Sequence, residues 1–159
     1  MNILGIDPGL ATCGFGIIKA DRKSYSLVEC GIIRTYPEQP FPERLSNIYK
    51  AMNSIIRDFN AEKAGVEKLY FSRNTKTAMK VAQARGVIML ALNENSIPVF
   101  EFTPLSVKKR ISGSGRADKK VIQNIIAGML NLESPPKPDD AADAIAIAIN
   151  TYYEVKSAL

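Results

Sequence analysis

The sequence predicts a mixed α/β layer fold, a five-stranded sheet flanked by helices. Three observations predict it. Three strand-like apolar runs open the chain, and the short link "ADRKSY" between the second and third suggests a hairpin. Helical and strand patterns then alternate, the order that adds parallel strands to an antiparallel opening. The chain has 159 residues, 46% of them hydrophobic, enough for one globular domain with a genuine core, spanning 1–159.

Each element has its own signal. Residues 2–7, "NILGID", read as a buried strand broken by Pro8-Gly9. Residues 13–19 and 26–35 give the next two strands. Pro37, Pro40 and Pro42 mark a loop, and Pro42 suits the first turn of a helix, where a missing N–H is harmless. Leu45, Ile48, Tyr49, Met52, Ile55, Ile56 and Phe59 recur at three- and four-residue steps, an amphipathic helix. "KAGVEKLYF" (63–71) reads as a strand, followed by a long helix over about 76–93 with Ala78, Val81, Ala82, Ile88 and Ala91 on one side. "IPVFEF" (97–102) is the fifth strand. A short helix over 104–111, a flexible loop "SGSGRA" (112–117) and a helix over 118–130 follow. Pro135, Pro136 and Pro138 stiffen the approach to a last helix starting near Asp140.

Composition removes several function classes. There is no histidine, which excludes a Ser-His-Asp triad, a His general base and any His-ligated zinc. Cys13 and Cys30 are too few and too far apart for a thiolate metal site, and read as reduced core thiols. Any metal would be a hard cation held by oxygen, magnesium or manganese. No stretch approaches the roughly 18 apolar residues of a membrane span. The N-terminus does not resemble a signal peptide, so a cytoplasmic location is expected. A net charge of +5 permits a polyanionic partner without requiring one.

Four acids stand out. Asp7 ends the first strand, where open α/β sheets place ligands; the alternative is a turn Asp capping backbone N–H groups. Glu67 interrupts an apolar strand, unless that strand is an edge and the Glu faces water. Asp140 and Asp143 are one helical turn apart and share a face, although helix capping explains one or two such carboxylates equally well. Asp139 points elsewhere, by about 100° of rotation. Converged at one sheet edge, the four acids would repel one another, and two divalent cations would cancel that charge. Such a pair is the apparatus of in-line phosphoryl displacement, and it needs no histidine.

The segments "ILGIDPGLATCGFGII", "VEKLYFSRN", "AQARGVIMLAL" and "DDAADAIAIAI" resemble, in order and over nearly the whole chain, the RuvC family of Holliday-junction resolvases. The resemblance implies a ribonuclease H-like fold. It places the four metal-binding acids on Asp7, Glu67, Asp140 and Asp143, with Asp7 between two Mg2+ (or Mn2+) ions per active site. It also implies a homodimer that binds four-way junction DNA and nicks two strands of like polarity, in recombination and repair. Branch-migration motor proteins are the further partners it implies. The family's dimer contact falls on the long helix at 76–93. Its small residues Ala78, Ala82, Ala84, Gly86 and Ala91 would admit a partner helix, and core packing explains them equally well.

Two stretches are candidates to hold DNA. "VKKRISGSGRADKK" (107–120) carries Lys108, Lys109, Arg110, Arg116, Lys119 and Lys120, with two glycines that would let the backbone approach a phosphate. A charge run is also commonly just a solvated face. By family position, Lys108 and Lys119 contact or stabilise the scissile phosphate, Lys119 as part of the catalytic set. In "LYFSRNTK" (69–76), aromatics beside Arg73 and Lys76 suit stacking on unpaired bases, although one ring is expected in the core. The family's junction-wedge aromatic aligns with Tyr70, leaving Phe71 to the core. Two rival readings are an ATP-binding module of the actin and sugar-kinase type, for which the chain is short, and a catalytically idle DNA-binding module of the same fold.

Overall fold

The computed structural model describes residues 1–69 and 75–157, including every side chain in those spans except those of Thr75 and Lys76. The element order is β1 (Asn2–Asp7), β2 (Thr12–Ala20), β3 (Tyr25–Arg34), α1 (Phe41–Asp58), β4 (Lys63–Glu67), α2 (Thr75–Glu94), β5 (Val99–Phe102), α3 (Pro104–Ser112), α4 (Lys119–Met129) and α5 (Asp139–Ser157). The strands form one mixed sheet in the order β3-β2-β1-β4-β5. β1 pairs antiparallel with β2 and parallel with β4, and β5 adds in parallel.

Alternation along β1 divides the core. Leu4 and Ile6 point into an apolar layer with Ile48, Met52 and Ile56 of α1 and Ala84, Ile88 and Leu92 of α2. Ile3 points into the opposite layer, against Val107 and Ile111 of α3, Ile122 and Ile126 of α4, and α5. Between Ile3 and Asp7 on that second face stands Gly5, in register with Gly16 on one side and Gly65 on the other. This glycine row lets α5 lie directly on the sheet. A Cβ on Gly5 would stand 2.0 Å from the Ala144 carbonyl oxygen, and one on Gly14 would stand 2.0 Å from that of Asp140. From Ala141 to Tyr152, every residue of α5 except Asp143 is buried.

Two expectations need correction. β4 ends at Glu67, not at 71, because its pairing with β5 runs out at Glu67 opposite Phe102. Glu67 is therefore a strand-end residue, not a mid-strand one. β5 begins at Val99; Ile97 before it packs on the core and donates its N–H to the Leu92 carbonyl at 2.9 Å. In the loop at 112–117 both glycines also have a place in the turn. Gly113 has φ +77° and closes α3, and a Cβ on Gly115 would meet Leu105 at 2.7 Å.

Candidate active site

The site forms at the C-terminal ends of two adjacent parallel strands. Asp7 is the last residue of β1 and Glu67 the last of β4, and the Ile6–Val66 register sets them side by side. Each shares a sheet face with the glycine two positions earlier, the face on which α5 lies. Asp140 and Asp143 stand in the first turns of α5. The close seating of α5 on Gly14 and Gly5 brings that helix start down onto Asp7. One carboxylate oxygen from each of Asp7, Asp140 and Asp143 falls within 4.8 Å of the others.

The electrostatics follow from crowding. Burial, then the charges of Glu67, Asp143 and Asp140, push the Asp7 carboxyl up to about 7. Burial and the charge of Asp143 push Glu67 up to about 7 as well, against the pull of Lys108 and Lys119. Lys119, the first residue of α4, donates to Asp143 at 2.8 Å and stands 3.5 Å from Asp139. Burial works to lower its ammonium, but those two carboxylates outweigh it and hold Lys119 above its ordinary value. A cleft of about 220 Å³ opens beside the acids, lined by Glu67, Asp143, Lys108 and Lys119 with apolar walls.

The protein-family profile described as "Crossover junction endodeoxyribonuclease RuvC" matches residues 3–151. The chain belongs to the RuvC family. A RuvC protein of Natranaerobius thermophilus is 45% identical over 149 residues, covering 94% of this chain and 92% of its own. One of Clostridioides difficile is 46% identical over 149 residues, covering 94% and 88%. The solved RuvC structure of Thermus thermophilus superposes with a TM-score of 0.92 at 30% identity, covering 99% of this chain and 97% of that one. The T. thermophilus RuvC solved with a Holliday-junction substrate gives 0.89 at 28% identity, covering 99% and 96%. The fold is ribonuclease H-like, as the RuvC resemblance implied.

The RuvC site residues expected from sequence fall into four groups. Asp7, Asp140 and Asp143 converge, Glu67 adjoins them, and Lys108 and Lys119 line the cleft. Lys109, Arg116 and Lys120 are exposed on α3, the turn and α4. Arg110 is engaged elsewhere, donating to Glu154 at 2.8 Å. Tyr70, Phe71 and Arg73 lie outside the described residues, as does the side chain of Lys76. Asp139 is not one of the three acids that converge; it accepts from Gln123 at 2.9 Å and shares Lys119 with Asp143. That bond and Lys119 hold its carboxyl below the usual range.

One supporting residue was not read from sequence. Arg85 of α2 donates from Nε to the backbone carbonyl of Glu67 at 3.2 Å and pairs with Glu101 of β5. It ties the end of β4 in place. The only sequence signal was a lone Arg in an otherwise small and apolar stretch of helix.

Proposed function

We propose that this chain is a structure-specific endonuclease that resolves four-way DNA junctions in recombination and repair. It would do so by paired symmetric nicks, as a single nuclease domain over 1–159. The observation that carries this reading is the convergence of Asp7, Asp140 and Asp143 within 4.8 Å, next to a Glu67 whose carboxyl burial drives up to about 7. Carboxyl groups kept this close and this dry are costly without a positive partner. The donor set is all oxygen, which fits a hard divalent cation, Mg2+ or Mn2+. Two such ions, when bound, supply Lewis acidity toward water and toward the leaving oxygen.

This chain's residues do the rest. Asp7, at the centre of the set, and Glu67, Asp140 and Asp143 hold the ions. Lys119 fixes the Asp143 carboxylate through its 2.8 Å bond and keeps a cation at the mouth of the cleft. Lys108 and Lys119 flank the space where the phosphate would lie, so positive charge stands where charge develops in the transition state. Lys109, Arg116 and Lys120 extend that charge along the surface for backbone contacts, and Tyr70, Arg73 and Lys76 would meet the junction centre. The active unit is a homodimer working with branch-migration motor proteins in the cytoplasm. Two free cysteines agree with a reducing compartment, and no helix among the described residues is long and apolar enough to cross a membrane.

The test is a cleavage assay on a synthetic four-way junction, with and without magnesium, mapping both nick positions. Paired nicks symmetric about the junction are expected with magnesium only. Asp7→Asn should cut slower by on the order of a thousandfold while still binding the junction. Unpaired nicks on linear duplex would make this a general nuclease. Binding without nicking would make it an idle DNA-binding module.

A further inference from the structure

The turn that follows Asp7 has two sides, and only one of them faces the carboxylates. The other walls a second groove of about 410 Å³, lined by residues 9–12, Arg44 of α1, and Thr77 and Lys80 of α2. No carboxylate lines it among the described residues. Arg44 and Lys80 have no ion-pair partner among the described residues either.

The groove is organised by a buried relay. Thr35, 2% exposed, donates from Oγ1 to the Leu10 carbonyl at 2.6 Å and from its backbone N–H to the Ala11 carbonyl at 3.0 Å. The same Oγ1 accepts from Arg44 Nε at 2.8 Å. One threonine therefore fixes both the turn and the plane of the guanidinium. Nε is used internally, and the terminal nitrogens of Arg44 keep their donor capacity for an acceptor in the groove. Thr12 and Thr77 add hydroxyls, and Lys80 of α2 adds a second cation to the lining. Fixed donors without a counter-charge suit an oxyanion with several acceptor oxygens.

Resting on the nuclease reading above, we propose that this groove seats a second phosphodiester of the bound DNA, outside the phosphate being cut. A strand laid over the C-terminal edge of the sheet would meet the carboxylates on the α5 side of the turn. It would meet Arg44 and Lys80 on the α1 and α2 side. The second seat fixes the register of the strand across the turn, so that Asp7 faces one phosphate and not its neighbour.

The test measures junction affinity against salt concentration in magnesium-free buffer, where the DNA stays intact. Lys80→Ala is the decisive variant, because Lys80 is exposed and makes no hydrogen bond or ion pair among the described residues. It should weaken binding about fivefold and reduce the slope of log affinity against log salt by about 0.9, the signature of one lost phosphate contact. Arg44→Gln should do the same. Lys50→Ala, an exposed lysine of α1 outside the groove, should leave the slope unchanged. The thermal stabilisation by magnesium should survive in all three. An unchanged slope in Lys80→Ala, with wild-type binding intact, overturns the second seat and leaves the nuclease reading standing. A wild-type protein with no salt-sensitive junction binding overturns both. Stabilisation by inorganic phosphate that depends on Arg44, with no slope change in Lys80→Ala, would assign the groove to free phosphate and also overturn the proposal.

Discussion

Asp7 and Glu67 stand at neighbouring strand ends with both carboxyl groups largely out of water, and each is driven up to about 7. The consequence for stability has a definite sign. Unfolded, these groups release their protons near 3.8 and 4.5; folded and without metal, they hold them to about 7. Between those limits the native state binds more protons, so stability falls as pH rises. The cost is absent below about pH 4 and complete above about pH 7, on the order of a few kcal/mol. Calorimetry of the metal-free protein should therefore show a melting temperature that declines from pH 5 to pH 8. Asp7→Asn should flatten that decline and raise the melting temperature at pH 8, while removing the stabilisation given by magnesium. A flat wild-type profile would refute the electrostatic account. Magnesium should stabilise more at pH 8 than at pH 5.5, since ligands must shed protons to bind it. Sequence made each acid visible, because a Glu in an apolar run and Asp residues one turn apart are uncommon. It did not show that Lys119 would hold Asp143, since residues 24 positions apart meet only through the packing of α4 on α5.

At the scale of the element, the decisive feature is the seat of α5 on glycine. Gly5, Gly16 and Gly65 form a row without side chains, and Gly14 continues it beneath Asp140. Gly5→Ala would put a methyl 2.0 Å from the Ala144 carbonyl oxygen and 2.4 Å from the Ala148 nitrogen. Neither backbone atom can yield without moving the helix. Chemical denaturation should show a loss of about 3 kcal/mol or more. Magnesium affinity should fall with it, because the start of α5 carries two of the acids. Retained magnesium affinity in a destabilised Gly5→Ala protein would show that the acids do not depend on this seating. Periodicity read the ten elements of the described residues in their correct order. It carried β4 past Glu67 into Lys68 and Leu69 because "KLYF" has strand composition, whereas the strand ends where its partner β5 ends. Partner length is not written in local sequence.

At the scale of the molecule, α2 presents two large apolar side chains to solvent on one face, with the polar Gln83 between them. Met79 is 64% exposed and Leu90 50%, and Gly86 lies between them on the same face. Of the small residues that pointed to a helix partner, Ala84 and Ala91 are spent in the core under α1, and Ala78 and Ala82 are half-buried. Gly86 alone is open, with nothing within 4 Å of a Cβ built there. A second copy seated on this face would form the homodimer proposed above. Leu90→Glu should then sediment as a folded monomer that nicks a junction on one strand at a time; a dimer unaffected by that charge would place the contact elsewhere. Sequence by itself determined the order of the elements and the helix-flanked mixed sheet, and it singled out Asp7, Glu67, Asp140 and Asp143 as candidates, because side-chain period and residue chemistry are local properties. Only the tertiary structure decided that Glu67 closes its strand, that glycines lower α5 onto Asp7, that Arg110 is taken by Glu154, and that Thr35 ties Arg44 to the turn. Each of those depends on which distant backbone comes close, and that distance is set by packing across the sheet.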